Sequence, residues 1–169
     1  MKHTTKILFI CHGNICRSTM AQYVMQHLVD EAGLSDSFFI DSAATTNEEL
    51  GNGIHHGTRR VLDAHNIPYG NHKARKMKAS EYNDFDLIIA MDEENLGGLA
   101  RIMGRQVHWR DDPTVAIREV DVDYKIHMLL DYTDRPGDVA DPWYTGNFDA
   151  TWNDVWEGCN NLLAEFVKS

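Results

Sequence analysis

Two unbroken apolar runs, KILFI at 6–10 and DLIIAM at 86–91, each give way to polar residues and then to apolar residues at helical spacing. A run that does not alternate suits a strand buried on both faces, and such strands belong to parallel sheets covered by helices on either side. After the first run, Met20, Ala21, Val24, Met25, Leu28 and Val29 mark one face of a helix that lasts until Gly33. Phe38–Ala44 reads as a second strand, and 57–67, with Val61, Leu62 and Ala64 on its apolar side, as a second helix stopping before Pro68. DLIIAM is a third strand, followed by a helix from about Glu93 to Met103 that ends at Gly104. KIHMLLDYT, Lys125–Thr133, reads as a fourth strand. Thr151–Val167 reads as a closing helix with Val155, Trp156, Leu162, Leu163 and Phe166 available for burial.

This alternation predicts an α/β fold: a single-domain three-layer sandwich whose central, twisted, four-stranded parallel sheet carries helices on both faces through right-handed crossovers. The 169 residues, 43% of them hydrophobic, suit one well-buried core, so one domain is expected over 1–169. Ligands of such folds lie at the carboxyl ends of the strands, where Cys11 and the loop after it fall.

Lys and Arg number 16 against 26 Asp and Glu, a formal charge of −10, which argues against a sequence-independent grip on nucleic acid or an anionic membrane. The first apolar run is too short for a signal sequence core, and no stretch approaches the 20 or so apolar residues of a membrane span. Three cysteines cannot all pair and are too few to staple a domain of this size. A cytoplasmic protein is expected, with no membrane insertion.

The chemistry concentrates in CHGNICRS at 11–18. Five residues separate Cys11 from Arg17, and a loop of that length entering a helix can turn successive backbone N–H groups inward as a nest for a tetrahedral oxyanion, phosphate above all. Gly13 permits backbone conformations barred to other residues, Asn14 tolerates a left-handed turn, and the Arg17 fork matches two phosphate oxygens. Cys11, at the positive end of the helix and beside Arg17, sits where thiolate becomes the resting form of a cysteine. Ser18, or Thr19 with Gln22, is placed to cap the helix, and the Ser18 hydroxyl also to donate to the sulfur. A cysteine after an apolar strand is often only a small core residue, yet packing does not explain Gly, Asn and Arg beside it. Cys159, among aromatic and leucine neighbours, reads as core.

CHGNICRS at 11–18 together with DPWYTG at 141–146 resembles the low-molecular-weight protein-tyrosine phosphatases. DSA at 41–43, GTRRVL at 57–62, HKAR at 72–75, AMDEENL at 90–96 and LLDYT at 129–133 follow in the family's order, so the resemblance covers most of the chain. It implies a hydrolase of phosphotyrosine in proteins, and of small aryl phosphates, that needs no cofactor or metal and releases inorganic phosphate. Cys11 would attack phosphorus and carry a phosphocysteine intermediate; Arg17 and the amides of His12, Gly13, Asn14, Ile15, Cys16, Arg17 and Ser18 would hold the equatorial oxygens. Asp141 would protonate the leaving phenolate and then activate water. Ser42 and His72 resemble the family's partners of the loop asparagine, and Asp92 resembles another residue steadying the loop. Pro142 restricts the Asp141 loop, and the rings of Trp143 and Tyr144 suit a slot for an aromatic substrate. The His12 side chain is expected to point away from phosphate. The overall pattern resembles bacterial members.

Two stretches depart from the commonest family pattern. The segment 105–124 is longer than usual and reads as a structural insertion holding a hairpin or a helix in preference to a regulatory or partner surface, a second reading that Trp109, flanked by charges, keeps open. After DSA, TTNEELGNG presents Glu48 and Glu49 where many members place a bulky apolar group, which disfavours acidic phosphopeptides. Three rivals share features of this reading. Thioredoxin-linked arsenate reductases need further mid-chain cysteines, absent between Cys16 and Cys159. Protein-arginine phosphatases carry Thr where this chain has the apolar Ile15. A non-catalytic phosphoprotein-binding module would lack the nucleophile or the acid, and both Cys11 and Asp141 are present. Cys16, close to Cys11, is a candidate for redox protection of the nucleophile.

Overall fold

The computed structural model describes residues 3–168. In chain order it contains β1 (Thr5–Cys11), α1 (Arg17–Glu31), β2 (Phe38–Ala44), α2 (His56–Ala64), β3 (Leu87–Ala90), α3 (Glu93–Ile102), α4 (Pro113–Val120), β4 (Ile126–Met128), the short α5 (Pro142–Thr145) and α6 (Phe148–Val167). The strands form one sheet in the order β2-β1-β3-β4, and all three pairings are parallel. The chain is a single-domain α/β sandwich.

The unbroken character of KILFI now has its reason. Ile7 and Phe9 face a core shared with α1, α2 and α6, where Met20, Val24, Val61, Trp152 and Val155 pack. Leu8 and Ile10 face the opposite core, shared with α3 and α4 through Leu99, Ala116 and Ile117. All four strand residues are fully buried, each contributing about 1.5–3 kcal/mol of transfer free energy. Among the described residues, no helix is long and apolar enough to cross a membrane.

The fourth strand is shorter than its apolar run predicts. It covers Ile126–Met128 alone, and Leu129–Tyr132 forms a 3₁₀ turn. The Asp131 carboxylate accepts from the Met128 N–H at 3.1 Å, and the Thr133 hydroxyl donates to the Leu130 carbonyl at 2.7 Å, so side chains capture groups that a ladder would have used. The closing helix starts earlier than predicted, at Phe148, because Asn147 caps it by accepting from the Ala150 N–H at 3.0 Å. Trp156 remains 38% exposed and stacks on Trp152, so it is not the core residue its spacing suggests.

The segment 105–124 holds a helix, α4, whose Asp112 accepts from the Thr114 N–H at 2.9 Å just before Pro113. Beyond it the buried Asp121 accepts from Tyr82 O–H and from the N–H groups of Lys125 and Ile126, which aligns the entry to β4. The carboxyl ends of β1, β2 and β3 therefore converge on one edge of the sheet.

Candidate active site

Cys11 closes β1 and Arg17 opens α1, so residues 12–16 must turn the chain within a short span. Asn14 takes the left-handed conformation, φ 62°, that the turn requires. Gly13 does not; its missing side chain serves a close approach instead, since a Cβ there would meet Glu49 Cγ at 3.1 Å. Asn14 is fully buried and wholly engaged. Its backbone N–H donates to Cys11 Sγ at 3.2 Å, and its side-chain amide donates to Ser18 Oγ at 2.8 Å and Ser42 Oγ at 2.9 Å. Its Oδ1 accepts from the Arg75 N–H at 3.2 Å, which fixes the amide's orientation because a backbone N–H can only donate.

Ser18 Oγ lies 3.0 Å from Cys11 Sγ. Since the Asn14 amide nitrogen is a donor, the serine's single proton is left for the sulfur. Two donors thus converge on Cys11, an arrangement suited to a thiolate. Ser42 in turn donates to Gln22 Oε1.

These bonds also correct the expected capping of α1. Neither Ser18 nor Thr19 with Gln22 caps it: the N-cap is Cys16, with no side-chain bond to the first turn. Ser18 is committed to Cys11 and Asn14, Gln22 to Ser42, and the Thr19 hydroxyl to the Cys16 carbonyl at 2.9 Å. The open amides of the first turn remain for an anion.

Arg17 is 2% exposed. Its NH1 donates to Asp92 Oδ2 at 2.6 Å and to the Val139 carbonyl at 3.3 Å, and its NH2 to Asp141 Oδ2 at 3.2 Å. Burial works against the guanidinium charge, but Cys11, Asp92 and Asp141 outweigh it and raise the pKa. Asp92 steadies the loop through this arginine while capping α3, its Oδ1 accepting from the Asn95 N–H at 2.9 Å. Asp141 caps α5 and accepts from the Trp143 N–H at 3.0 Å. Three bonds hold the chain before it: Val139 N–H to the Met91 carbonyl at 2.8 Å, Ala140 N–H to Asp154 at 3.2 Å, and the Thr151 hydroxyl to the Ala140 carbonyl at 2.8 Å.

A buried cysteine at the start of a tight loop that enters a helix, an arginine held beside it and an aspartate brought in from the far end of the chain agree with the comparisons to known proteins. The family model described as low molecular weight phosphotyrosine protein phosphatase matches residues 6–169. The chain belongs to this family. The low-molecular-weight protein-tyrosine-phosphatase YfkJ of Bacillus subtilis is 36% identical over 164 residues, 96% of each chain. Its crystal structure superposes with a TM-score of 0.85 at 35% identity, covering 98% of this chain and 96% of that one. SP-PTP, the low molecular weight protein tyrosine phosphatase of Streptococcus pyogenes, gives 0.78 at 34% identity over 97% and 94%. The Drosophila arginine phosphatase gives 0.79 at 29% identity over 96% and 98%.

Around this low-molecular-weight phosphatase loop, the cleft is lined by Ile15, Glu48, Glu49, Trp143 and Tyr144, all predicted, and by Glu94, which was not. His72 stands behind the loop, its Nε2 donating to the Asn14 carbonyl at 2.8 Å, and burial lowers its pKa. His12 turns away from the cradle to Glu94 and Glu48. Cys16 is buried, and burial followed by the charges of Cys11 and Asp141 pushes its thiol up to about 12. Cys159 is fully buried.

Sequence reasoning gave Gln22 a capping role in place of its bond to Ser42 and missed Arg75, Thr151 and Asp154; the partners of all four lie 11 to 61 positions away. It also missed His55, which caps α2 by accepting from the Gly57 N–H and sets its ring edge-on to Trp143 at 6.1 Å. A local signal existed for His55 alone, in its place just before a helix.

Proposed function

We propose that this chain hydrolyses phosphotyrosine in proteins, and small aryl phosphates, through a phosphocysteine on Cys11. The observation that carries this reading is the convergence of the Asn14 N–H and the Ser18 hydroxyl on Cys11 Sγ below the uncapped start of α1. Sulfur attacks phosphorus as the bond to the aryl oxygen breaks, and Asp141 gives its proton to that oxygen, releasing the phenol. Water then attacks phosphorus, Asp141 takes its proton, and the S–P bond breaks to return the thiolate and inorganic phosphate.

Arg17 divides its fork between these tasks. With NH1 committed to Asp92 and Val139, the Nε–NH2 edge is the one that takes phosphate oxygens, displacing Asp141 from NH2 and freeing its Oδ2 for the leaving group. Ile15 supports phosphotyrosine over phosphoarginine, since a buried apolar wall offers nothing to a polar guanidinium. An arsenate-reductase relay is disfavoured because Cys159, the sole other cysteine outside the loop, is sealed in the core. The odd count of three cysteines, all of them buried, supports a cytoplasmic setting.

The test is steady-state hydrolysis of an aryl phosphate and a phosphotyrosine peptide with EDTA present. Activity should vanish in Cys11→Ser and fall roughly 10²–10⁴-fold in Asp141→Asn. Wild-type inactivity on both substrates refutes the reading. For Cys16 we assign redox protection: peroxide oxidises Cys11 to a sulfenic acid, which condenses with the Cys16 thiol to a disulfide and water. Thiol reductant should restore peroxide-treated wild type but not Cys16→Ser; equal recovery rejects the role.

A further inference from the structure

We propose that His12 is a positioning and specificity-determining residue: as an imidazolium it ties Glu48 to Glu94 across the mouth of the cleft and sets how much negative charge an incoming phosphorylated substrate meets. The proposal rests on the phosphatase reading of the same cleft.

His12 Nε2 lies 2.7 Å from Glu48 Oε2 and Nδ1 lies 2.9 Å from Glu94 Oε1. A neutral imidazole has one N–H and one bare nitrogen lone pair, so it can satisfy one carboxylate only while pointing a lone pair at the other. Both contacts are hydrogen bonds when both nitrogens carry protons, and the ring then bears a charge. Burial favours the neutral ring, but the hydrogen bonds and charges of Glu94 and Glu48 outweigh it and raise the His12 pKa. The ring is aimed by its own backbone, whose carbonyl accepts from the Thr46 hydroxyl at 3.0 Å and the Thr46 N–H at 3.3 Å.

The imidazolium matters because of what else is charged here. The loop after β2 presents Glu48 and Glu49, α3 presents Glu94, and the start of α5 presents Asp141. From its own loop come Cys11 and Arg17, the latter already shared by Asp92 and Asp141. Lys76 and Arg101 border a second cavity with Glu94. A phosphate dianion entering this mouth therefore meets the three carboxylates of Glu48, Glu49 and Glu94, two of them offset by one histidine, before it reaches Asp141. Without its proton, Glu48 and Glu94 repel each other across the ring, and the mouth both loosens and becomes more negative. Phosphopeptides with acidic flanks feel this most; those with basic flanks feel it least.

The decisive experiment combines an NMR titration of the His12 ring with kinetics on two phosphotyrosine peptides, one with acidic and one with basic flanking residues. In wild type His12 should titrate above the ordinary value of about 6.5, and in Glu48→Gln/Glu94→Gln it should return toward it. In His12→Gln the ratio of acidic-peptide KM to basic-peptide KM should rise about five- to tenfold, with the loss lying in KM more than in kcat. The wild-type ratio should climb as pH rises through the His12 titration, and that of His12→Gln should stay flat. A wild-type His12 titrating at or below 6.5, an unchanged ratio in the variant, or a kcat loss shared by both peptides overturns the proposal. Should wild type hydrolyse neither peptide, the phosphatase reading fails, while the NMR titration still decides the state of His12.

Discussion

At the floor of the cleft Asn14 makes five hydrogen bonds and is sealed from water, whereas at the rim Trp143 and Tyr144 are 62% and 85% exposed. Two histidines follow the same division. Burial lowers the pKa of His72, behind the floor; at the rim, burial is outweighed by two carboxylates, which raise that of His12. The floor gains its accuracy from low dielectric and complete pairing, where one missing partner leaves a buried group unsatisfied. The rim gains its selectivity from groups that water can still reach, so each is worth less and is free to adapt.

The largest break in this contrast should come from Asn14→Ala, which removes both amide donors and places alanine at a positive φ. We expect kcat/KM to fall roughly 10²–10³-fold, as for loss of a preorganised donor, with stability lowered by about 2–4 kcal/mol by denaturant unfolding. Ser18→Ala deletes a single donor to Cys11 and should cost about tenfold in kcat, measured on an aryl phosphate at saturation. At the rim, Trp143→Ala should raise KM about two- to tenfold with kcat less affected, and Tyr144→Ala less again. A rim loss as large in kcat as that of Ser18→Ala would erase the distinction.

The smallest effect is on stability against pH. His12 has a raised folded pKa, so its contribution is present in full below about 6.5 and is lost as pH rises through the folded value. His72 has a lowered one, so its contribution is present above about 6.5 and is lost as pH falls through the folded value. The stability gap between wild type and His12→Gln should therefore shrink from pH 5.5 to 8.5, staying under about 1 kcal/mol for so exposed an ion pair. A gap that grows with pH would reverse the assignment.

Much of this architecture was legible from residues alone. KILFI and DLIIAM announce buried parallel strands because burial on both faces demands unbroken apolar sequence. CHGNICRS gathers cysteine, turn and arginine within eight consecutive positions, so local spacing suffices to read it. LLDYT misleads because its apolar residues suit a strand while Asp131 and Thr133 capture the backbone from within. Ser18 has two candidate uses by position, capping α1 or donating to Cys11, and only three-dimensional pairing decides between them. The Glu94 partnership with His12 spans 82 positions and leaves no local trace.

The bond from Arg17 to Asp141 joins residues 124 positions apart, and the chain before Asp141 is fastened by Thr151 and Asp154 of the last helix. During synthesis at about 5–20 residues per second, the loop of Arg17 leaves the ribosome roughly 6–25 s ahead of Asp141. Throughout that interval the loop lacks the aspartate with which its arginine pairs. The anchoring of Ala140 by α6 thus ties the placement of Asp141, which the proposed reaction uses in both of its steps, to the docking of the last helix.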